Sequence, residues 1–280
     1  MKLAYLGPKG TFTYFAAEHF YGSLTNIELI EQQSLDQLFD ALDSNTCDAI
    51  FCPYENSIEG SVNRVLDNLT AHQTGTIHDM ISMPISQSIL GLYDISIHDI
   101  EHIISMPVAI AQCYSFIKQH CPNAVIHHSS STAGAVDMIH TLQLPTDKTV
   151  IIGPKEITRY FPIQVIQSNI QDERDNATQF CVIRPTINTN IDSNTHATLA
   201  FSTARDVPGS LLNVLKIFHD NNINLTKILS RPNKSDIGSY IFYVEFMVGQ
   251  SSNTIAEVIE SVQSNTLFFK HLGYYKVTND

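Results

Sequence analysis

Four short polar segments each follow a stretch of sequence that we predict to be a parallel β-strand. They are residues 7–11, Asn56-Ser57, Ser105 and residues 129–132. In open α/β sheets, ligands bind beyond the carboxyl ends of the strands, where helix N-termini present free N–H groups and about half a positive charge. Any one segment alone is more typical of a helix cap, because Ser and Thr are favoured there. Together, the four segments indicate a site for a small anion.

Other kinds of catalytic site find little support. Lys9 lies within Gly-Pro-Lys-Gly, which lacks the spacing of a phosphate-binding loop, and no G-x-S-x-G elbow for a nucleophilic serine occurs. Asp172, Glu173 and Asp175 crowd one segment that is typical of a solvated loop. Glu55 is the carboxylate beside the four polar segments, and we interpret it as a structural partner for backbone N–H groups.

The cysteine and charge content exclude several classes of protein. The five cysteines form no C-x-x-C pair and the twelve histidines lack metal-binding spacing, which disfavours a disulfide framework and a zinc site. With 16 basic against 28 acidic residues, the net charge of −12 disfavours nucleic acid and anionic membranes as partners. No apolar run approaches the roughly 18–20 residues of a membrane helix, and no signal-peptide pattern opens the chain. We therefore expect a cytoplasmic protein without a bound metal.

The elements that must position these residues are predicted by hydrophobic periodicity. The first two thirds of the chain alternate short apolar runs with amphipathic helices, which is typical of a parallel α/β sheet. Residues 49–52 are a predicted strand that ends at Pro53, and residues 85–92 form a predicted long strand. Residues 163–168 and 178–183 are the last predicted strands of this part.

The pattern changes after residues 185–195, a polar and aperiodic stretch that we interpret as a linker. Residues 196–280 have the order strand, helix, strand, strand, helix, strand (βαββαβ) of a ferredoxin-like unit. Gly209 allows a close backbone approach where a strand leads into a helix, and Ser230-Arg231-Pro232 ends the next strand. By themselves, these residues indicate only how strands and helices are joined.

Several motifs, taken in order, resemble the prephenate dehydratase family. The most specific is Pro53-Tyr54-Glu55-Asn56-Ser57-Ile58-Glu59-Gly60, which resembles the family's P-x-E-N-[ST]-x-x-G segment. Asn176-Ala177-Thr178-Gln179-Phe180 is similar to its N-x-T-R-F segment. The other matching segments are Tyr5-Leu6-Gly7-Pro8-Lys9-Gly10-Thr11-Phe12, Gln112-Cys113, Ser131-Thr132-Ala133 and Ile152-Gly153.

The second part of the chain is similar to an ACT regulatory domain. Residues 208–212 match its G-A-L-V segment, and Ser230-Arg231-Pro232 matches the end of its E-S-R-P segment. The resemblance therefore implies a dehydratase domain over residues 1–184 and an ACT domain over residues 196–280.

The implied fold is of the α/β class. The dehydratase domain is expected to be two-lobed and hinged, like the periplasmic binding proteins. Its first lobe is expected over residues 1–80 and 166–184, and its second lobe over residues 81–165. The ACT domain is expected to be ferredoxin-like (βαββαβ).

The implied reaction is the decarboxylating dehydration of prephenate to phenylpyruvate in L-phenylalanine biosynthesis. Aromatisation of the ring supplies the driving force, so the resemblance implies no cofactor. Thr178 is the implied key residue, a positioned hydrogen-bond donor to the leaving hydroxyl. The other implied active-site residues are Asn56, Ser105 and Gln112. The implied substrate contacts are Thr11, Ser57, Ser131, Thr132, Gln179 and Phe180.

The ACT domain implies feedback by L-phenylalanine, bound between paired ACT domains of a homodimer or homotetramer. The backbone N–H groups of residues 209–212 are suited to hold its carboxylate at the start of a helix. The implied effector-binding residues are Pro208, Gly209, Ser210, Leu211, Leu212, Ser230, Arg231 and Pro232.

Three positions depart from the family pattern. The family's S-H-P-Q reads Ser105-Met106-Pro107-Val108, Gln179 replaces the Arg of T-R-F, and Leu229 replaces the Glu of E-S-R-P. Gln179 donates hydrogen bonds but brings no charge to a dianionic substrate, and Phe180 is as typical of a core strand as of a substrate contact. Two alternatives stay open: an arogenate dehydratase, whose substrate differs by an amino group, and a non-catalytic sensor of an aromatic metabolite.

Overall fold

The computed structural model describes most of the chain. Position 23, positions 190, 193 and 194 of the expected linker, three short segments of the expected ACT domain and the last residue lie outside the described residues. The described residues are 1–22, 24–189, 191–192, 195–203, 207–233, 239–250 and 254–279.

Strands alternate with helices over the first 84 residues, although the strand at 28–32 was not predicted. The helix at 35–43 shows how the sequence forms such an element: it begins at Ser34, whose hydroxyl accepts the N–H of Gln37, and it buries one apolar face that includes Leu38 and Leu42. The elements are β1 (Lys2–Leu6), α1 (Phe12–Tyr21), β2 (Glu28–Gln32), α2 (Leu35–Asp43), β3 (Ala49–Asn56), β4 (Gly60–Ser61), α3 (Asn63–Ala71) and β5 (Thr76–Pro84).

The second lobe repeats this alternation. Its elements are β6 (Ser88–Gly91), β7 (His102–Ser105), α4 (Pro107–Gln112), α5 (Tyr114–His120), β8 (Val125–His128), α6 (Thr132–Thr141), β9 (Thr149–Gly153) and β10 (Gln164–Ser168), with 3-10 turns at Ile97–Asp99 and Lys155–Arg159. The strand order is β10-β6-β9-β7-β8, with β7 parallel to β8 and β9. The carboxyl ends of these three parallel strands therefore lie along one edge.

A hinge of two chain segments joins the lobes. The chain leaves the first lobe after β5 and returns as β11 (Ala177–Arg184), which lies between β3 and β5 and is antiparallel to both. The crossing segments run side by side: the N–H of Ile85 donates to Asn176 at 2.8 Å, and that of Ile170 donates to Gln87 at 3.0 Å. This two-lobed arrangement confirms the expected fold of the catalytic domain.

The last part of the chain is a ferredoxin-like unit, as its element order predicts. Its strands follow the order β13-β14-β12-β15 in the sheet. The elements are β12 (His196–Thr203), α7 (Ser210–Asp220), β13 (Leu225–Pro232), β14 (Tyr240–Met247), α8 (Ile255–Ser264) and β15 (Thr266–Asn279), with a 3-10 turn at Val248–Gln250.

The strand β15 joins this unit to the first lobe. Its first part pairs with β12, and its residues 276–279 pair in parallel with residues 79–82 of β5. Gly273 permits the crossing: its φ is +138°, and a Cβ there would lie 2.2 Å from the carbonyl oxygen of Ile77. The described strands consequently form one sheet of ten strands and one of five.

Two hydrophobic clusters cross the boundaries between these units. One packs first-lobe residues such as Phe39 and Leu66 against Tyr243 and Tyr275 of the last unit. The second cluster joins the two lobes and includes Leu3, Phe51, Ile104, Ile151 and Phe180.

None of the described helices has the length and apolar content that a membrane span requires.

Two strand predictions and one lobe boundary differ from the structure. β3 continues through Pro53 to Asn56, because the register with β11 shifts there and a bulge accommodates proline within a strand. The predicted strand at 85–92 is shorter, since residues 85–87 belong to the hinge, and the strand before them, β5, was missed. β10 pairs with β6 in the second lobe, so the return to the first lobe comes at β11 and not at residue 166.

Candidate active site

Thr178 and Asn56 face each other across the ends of two neighbouring strands. They are partners in the register of β11 and β3, and Asn56 Nδ2 lies 2.9 Å from Thr178 Oγ1. The Asn56 amide is oriented by its oxygen, which accepts the backbone N–H groups of Ile58 and Glu59 at 3.0 and 3.1 Å. The amide nitrogen must therefore donate to Thr178. Because Thr178 Oγ1 makes no other hydrogen bond to the described residues, its own hydrogen is available to a ligand.

Asn176 supports this pair from the hinge. Its Oδ1 accepts an N–H of Asn56 at 2.8 Å and lies 3.5 Å from the Ser57 hydroxyl, which accepts the backbone N–H of Ala177 at 3.0 Å. Asn176 is 1% exposed, and its Nδ2 has no partner among the described residues. An unsatisfied donor thus lies two residues before Thr178. Asn176 was not predicted as a site residue, although its place in the matched N-x-T segment is a signal for it.

Ser105 lies at the carboxyl edge of the second lobe, and Gln112 lies beside the hinge. Ser105 ends β7 and donates from its buried hydroxyl to the carbonyl of Ile152 at 2.7 Å. Gln112 ends α4, and its Oε1 accepts a hydrogen bond from Nε2 of the hinge residue Gln87 at 3.1 Å. This bond leaves the Nε2 hydrogens of Gln112 free to donate to a ligand. No motif marks Gln87 in the sequence, and it was missed.

The hinge also ties Gln112 to the segment that leads to β11. The backbone N–H of Asp172 donates to the carbonyl of Gln112 at 2.7 Å. Burial, with a contribution from the charge of Asp172, raises the pKa of the neighbouring Cys113 to about 12. That thiol therefore stays protonated and is unsuited to nucleophilic chemistry.

Thr11 and Ser131 are helix caps. Thr11 Oγ1 accepts the N–H of Tyr14 at 3.3 Å and donates to the carbonyl of Pro8 at 2.9 Å. Ser131 Oγ accepts the N–H of Gly134 at 3.0 Å. The expected substrate contacts of these two hydroxyls are therefore not supported, because both are used to start α1 and α6. They instead mark the starts of α1 and α6, where free backbone N–H groups can bind an anion.

Thr132 and Phe180 are packed into the protein. Thr132 is 2% exposed and lies against Gly153, where an added Cβ would be 2.3 Å from the threonine methyl group. Phe180 is 1% exposed and stacks on Phe51 with ring centroids 5.4 Å apart. This burial corrects the expectation that Phe180 contacts the substrate. Phe180 is instead a residue of the hydrophobic core.

Gln179 faces away from Thr178, which corrects its expected role at the substrate. Successive residues of a strand point to opposite faces, and Gln179 stands beside Glu55 in the register of β11 and β3. A cation at this position would therefore meet Glu55 and not the ligand of Thr178. Gln179 lines a cavity of about 340 Å³ between the first lobe and the last unit, together with Glu55, Met80, His196, Thr226, Lys227, Glu245, Tyr275 and Val277.

A second cavity, of about 400 Å³, opens between the two lobes beside the hinge. Its wall carries two cations of the second lobe, Lys155 and Arg159. Arg159 forms an ion pair with Glu18 of α1 at 2.9 Å, and the hydroxyl of Tyr160 also donates to Glu18. Burial alone would raise the pKa of Glu18, but hydrogen bonds from Tyr160 and Tyr14 outweigh it and lower that pKa. A charged Glu18 therefore links the lobes.

The expected effector residues gather at two chain segments of the last unit. Gly209, with a φ of +89°, precedes α7, and Leu212 in its first turn is 67% exposed. Arg231 differs, because its guanidinium makes two hydrogen bonds to Asp67 of α3, at 3.1 and 2.9 Å. That side chain joins two units of one chain and is not free for an effector. The remaining residues are Pro208, Ser210 and Leu211 around the start of α7, and Ser230 and Pro232 at the end of β13.

Comparisons with known proteins converge on one family. A family model described as prephenate dehydratase matches residues 3–188, and one described as ACT domain matches residues 198–263. A prephenate dehydratase of Methanocaldococcus jannaschii is 33% identical over 276 residues, which cover 98% of this chain and 97% of that protein.

Two crystal structures are similar over the length of the chain. The prephenate dehydratase of Arthrobacter aurescens in complex with L-Phe has a TM-score of 0.86 at 26% identity, covering 99% of this chain and 90% of that one. The prephenate dehydratase of Staphylococcus aureus has a TM-score of 0.83 at 29% identity, covering 99% and 100%. These similarities agree with a two-lobed catalytic domain followed by an ACT domain.

Proposed function

The chain belongs to the prephenate dehydratase family, and we propose that it catalyses the decarboxylating dehydration of prephenate to phenylpyruvate in L-phenylalanine biosynthesis. The observation that carries the proposal is the polarity of the Asn56–Thr178 hydrogen bond. Asn56 donates to Thr178 Oγ1, so the hydrogen of Thr178 is directed to a ligand.

Thr178 acts on the leaving hydroxyl. As the ring C–O bond breaks, its electron pair stays on the oxygen, which leaves as hydroxide and becomes water by taking a proton from solvent. The C–C bond to the ring carboxylate breaks at the same time, its electron pair completes the aromatic ring, and carbon dioxide is released. A hydrogen bond from Thr178 stabilises the negative charge that develops on the leaving oxygen. One positioned donor of this kind contributes about 10²–10³ in rate. Asn56 maintains the effect because it occupies the acceptor side of Thr178.

Uncharged donors and a helix start hold the substrate carboxylates. Gln112 Nε2 and Asn176 Nδ2 are side-chain donors with no acceptor among the described residues, and α6 contributes the free N–H groups of its first turn. Closure of the lobes about the hinge excludes water and strengthens these hydrogen bonds. The residues need only orient the substrate, since aromatisation drives the reaction.

The ACT domain carries feedback by L-phenylalanine in this proposal. The A. aurescens relative was crystallised with L-Phe, and Gly209 with the first turn of α7 offers backbone N–H groups for a carboxylate. Pairing of two ACT domains in a homodimer or homotetramer would cover Leu212 and Ile228, which are 67% and 49% exposed. The place of action is the cytoplasm, which fits five buried and unpaired cysteines.

The experiment that tests the proposed function offers prephenate and arogenate to the purified chain in parallel assays. Prephenate is expected to yield phenylpyruvate. Formation of phenylalanine from arogenate alone would identify an arogenate dehydratase, and binding without turnover would identify a sensor. L-Phenylalanine is expected to lower the rate and to change hydrodynamic size, and the absence of both effects would reject the proposed effector.

A further inference from the structure

Two residues that precede Asn56 in β3 are held by the ACT domain. Glu55 Oε2 accepts from Lys227 Nζ of β13 at 2.8 Å. The hydroxyl of Tyr54 donates to Glu245 Oε1 of β14 at 2.6 Å. The end of β3 is therefore fixed on one side by the regulatory domain, directly before the residue that orients the catalytic hydroxyl.

Lys227 lies at the centre of these contacts. Its side chain is 15% exposed, and its Nζ is 3.5 Å from Glu245 and 4.7 Å from the centre of the Tyr54 ring. Charges in such a position are incompletely screened by salt, and removal of the cation would leave Glu245, 13% exposed, and Glu55, 32% exposed, without their partner. Loss of Lys227 is thus expected to cost more than the loss of one partner of an exposed ion pair.

A bulge aims Lys227 at Glu55. The register of β13 with β14 shifts between Leu225 and Lys227, and bulges re-aim the side chain that they carry. Three residues further along the same strand, Ser230-Arg231-Pro232 ends β13, where the effector is expected. One strand therefore connects the expected effector end of the ACT domain with the end of β3.

The first lobe does not supply this cation itself. Gln179 stands opposite Glu55 in the register of β11 and β3 and lines the same cavity, but its amide is neutral. Among the described residues, Lys227 is the cation that forms an ion pair with Glu55. The other described ion pair between these units, Arg231 with Asp67, acts on α3.

We infer that Lys227 is a positioning residue of the active site: it holds Glu55, thereby fixes Asn56 against Thr178, and transmits movements of β13 to that pair. The inference rests on the proposed function and names the route by which the same site is regulated. Its physical basis is that catalytic hydrogen bonds lose their effect when a group is misplaced by about 1 Å.

Lys227→Met removes the cation and keeps a long side chain. We expect a kcat about tenfold lower, as for the loss of one charge-assisted hydrogen bond, with KM little changed and a weaker response to L-phenylalanine. The matched control is Lys216→Met, which removes an exposed ion pair with Asp220 on α7 and is expected to behave as the unmodified chain. Equal behaviour of the two variants would overturn the inference.

A second-site change separates positioning from a merely structural role. In Lys227→Met/Gln179→Arg, the arginine stands opposite Glu55 and supplies the cation from within the first lobe. We expect kcat to return while the response to L-phenylalanine stays weak. If activity and response return together, the ACT domain does not act through Lys227. If Lys227→Met does not fold, the single variant Gln179→Arg tests the inference. We expect this variant to have an unchanged kcat and a weaker response to L-phenylalanine. An unaltered response to L-phenylalanine overturns the inference.

Hydrogen exchange measures how firmly Asn56 is held, and it needs no substrate turnover. The N–H groups of Ile58 and Glu59 are bonded to Asn56 Oδ1, and we expect their exchange to be about tenfold faster in Lys227→Met and unchanged in Lys216→Met. Equal exchange in both variants overturns the inference. A chain that shows this difference but does not convert prephenate contradicts only the proposed function. A chain that converts prephenate but ignores L-phenylalanine overturns the regulatory route.

Discussion

Asn56 donates a hydrogen bond to the hydroxyl oxygen of Thr178 at 2.9 Å, and this direction is imposed by the backbone. The amide oxygen is occupied by the N–H groups of Ile58 and Glu59, so the amide cannot rotate without losing both bonds. The backbone N–H groups therefore donate to Asn56, Asn56 donates to Thr178, and Thr178 is left to donate to a ligand.

Asn56→Asp reverses this polarity at nearly constant shape. The aspartate still accepts the N–H groups of Ile58 and Glu59, but it also accepts the hydrogen of Thr178 and places a negative charge beside a dianionic substrate. We expect kcat to fall at least about 10²-fold with an unchanged melting temperature. The exposed Asn63→Asp serves as the control for the added charge. Equal kcat in the two variants would contradict the assigned polarity.

Gln87→Leu tests the hinge as a support of the site. The change removes the donor that holds Gln112 Oε1 at 3.1 Å, so the Gln112 amide can rotate. We expect kcat/KM to fall about tenfold, the size of one buried hydrogen bond. Gln167→Leu, at an exposed position of β10, is expected to have no effect. An unchanged kcat/KM in Gln87→Leu would show that the orientation of Gln112 is irrelevant to the substrate.

Phe180→Ala tests the assignment of this residue to the core. Loss of a fully buried aromatic side chain stacked on Phe51 leaves a cavity, and we expect a loss of about 3–5 kcal/mol in the free energy of unfolding. Denaturant titration measures the change. A variant of normal stability with a raised KM would instead return Phe180 to the substrate site.

His271 predicts a pH dependence of stability. Burial lowers its pKa from 6.5 to about 4, and both ring nitrogens are buried without partners among the described residues. Between these values the unfolded chain binds more protons than the folded one, so stability falls as the pH drops from 6.5 through about 4. Over this pH range, the free energy of unfolding of His271→Leu is expected to fall by roughly 2–3 kcal/mol less than that of the unmodified chain. Parallel stability profiles would contradict the burial of a neutral ring.

The pairing of Asn56 with Thr178 follows from two motifs that lie 122 residues apart in sequence. Each motif was found from its local residue pattern, and the resemblance put both in one site. The βαββαβ order was found in the same way, because periodicity and turn residues are local properties. The pairing of distant strands had only to be consistent with these local patterns and was not needed to predict the order of the elements.

The side of a strand on which a residue lies depends on register, which the sequence does not display. Gln179 follows Thr178 directly and was grouped with it, but alternation along β11 turns it to Glu55. Pro53 was taken to end a strand because the bulge opposite Phe180 has no local signature. Thr11 and Ser131 show a different limit: a threonine or serine at a helix start has the same sequence pattern whether it caps the helix or binds a ligand.

The most direct test of the central claim removes only the hydroxyl of Thr178. Thr178→Val keeps the shape of the side chain, and Thr178→Ser keeps the donor and serves as its control. With prephenate as substrate, we expect kcat of Thr178→Val to fall about 10²–10³-fold at an unchanged melting temperature, while Thr178→Ser retains most of its turnover. A folded Thr178→Val protein whose kcat stays close to that of Thr178→Ser would contradict the account.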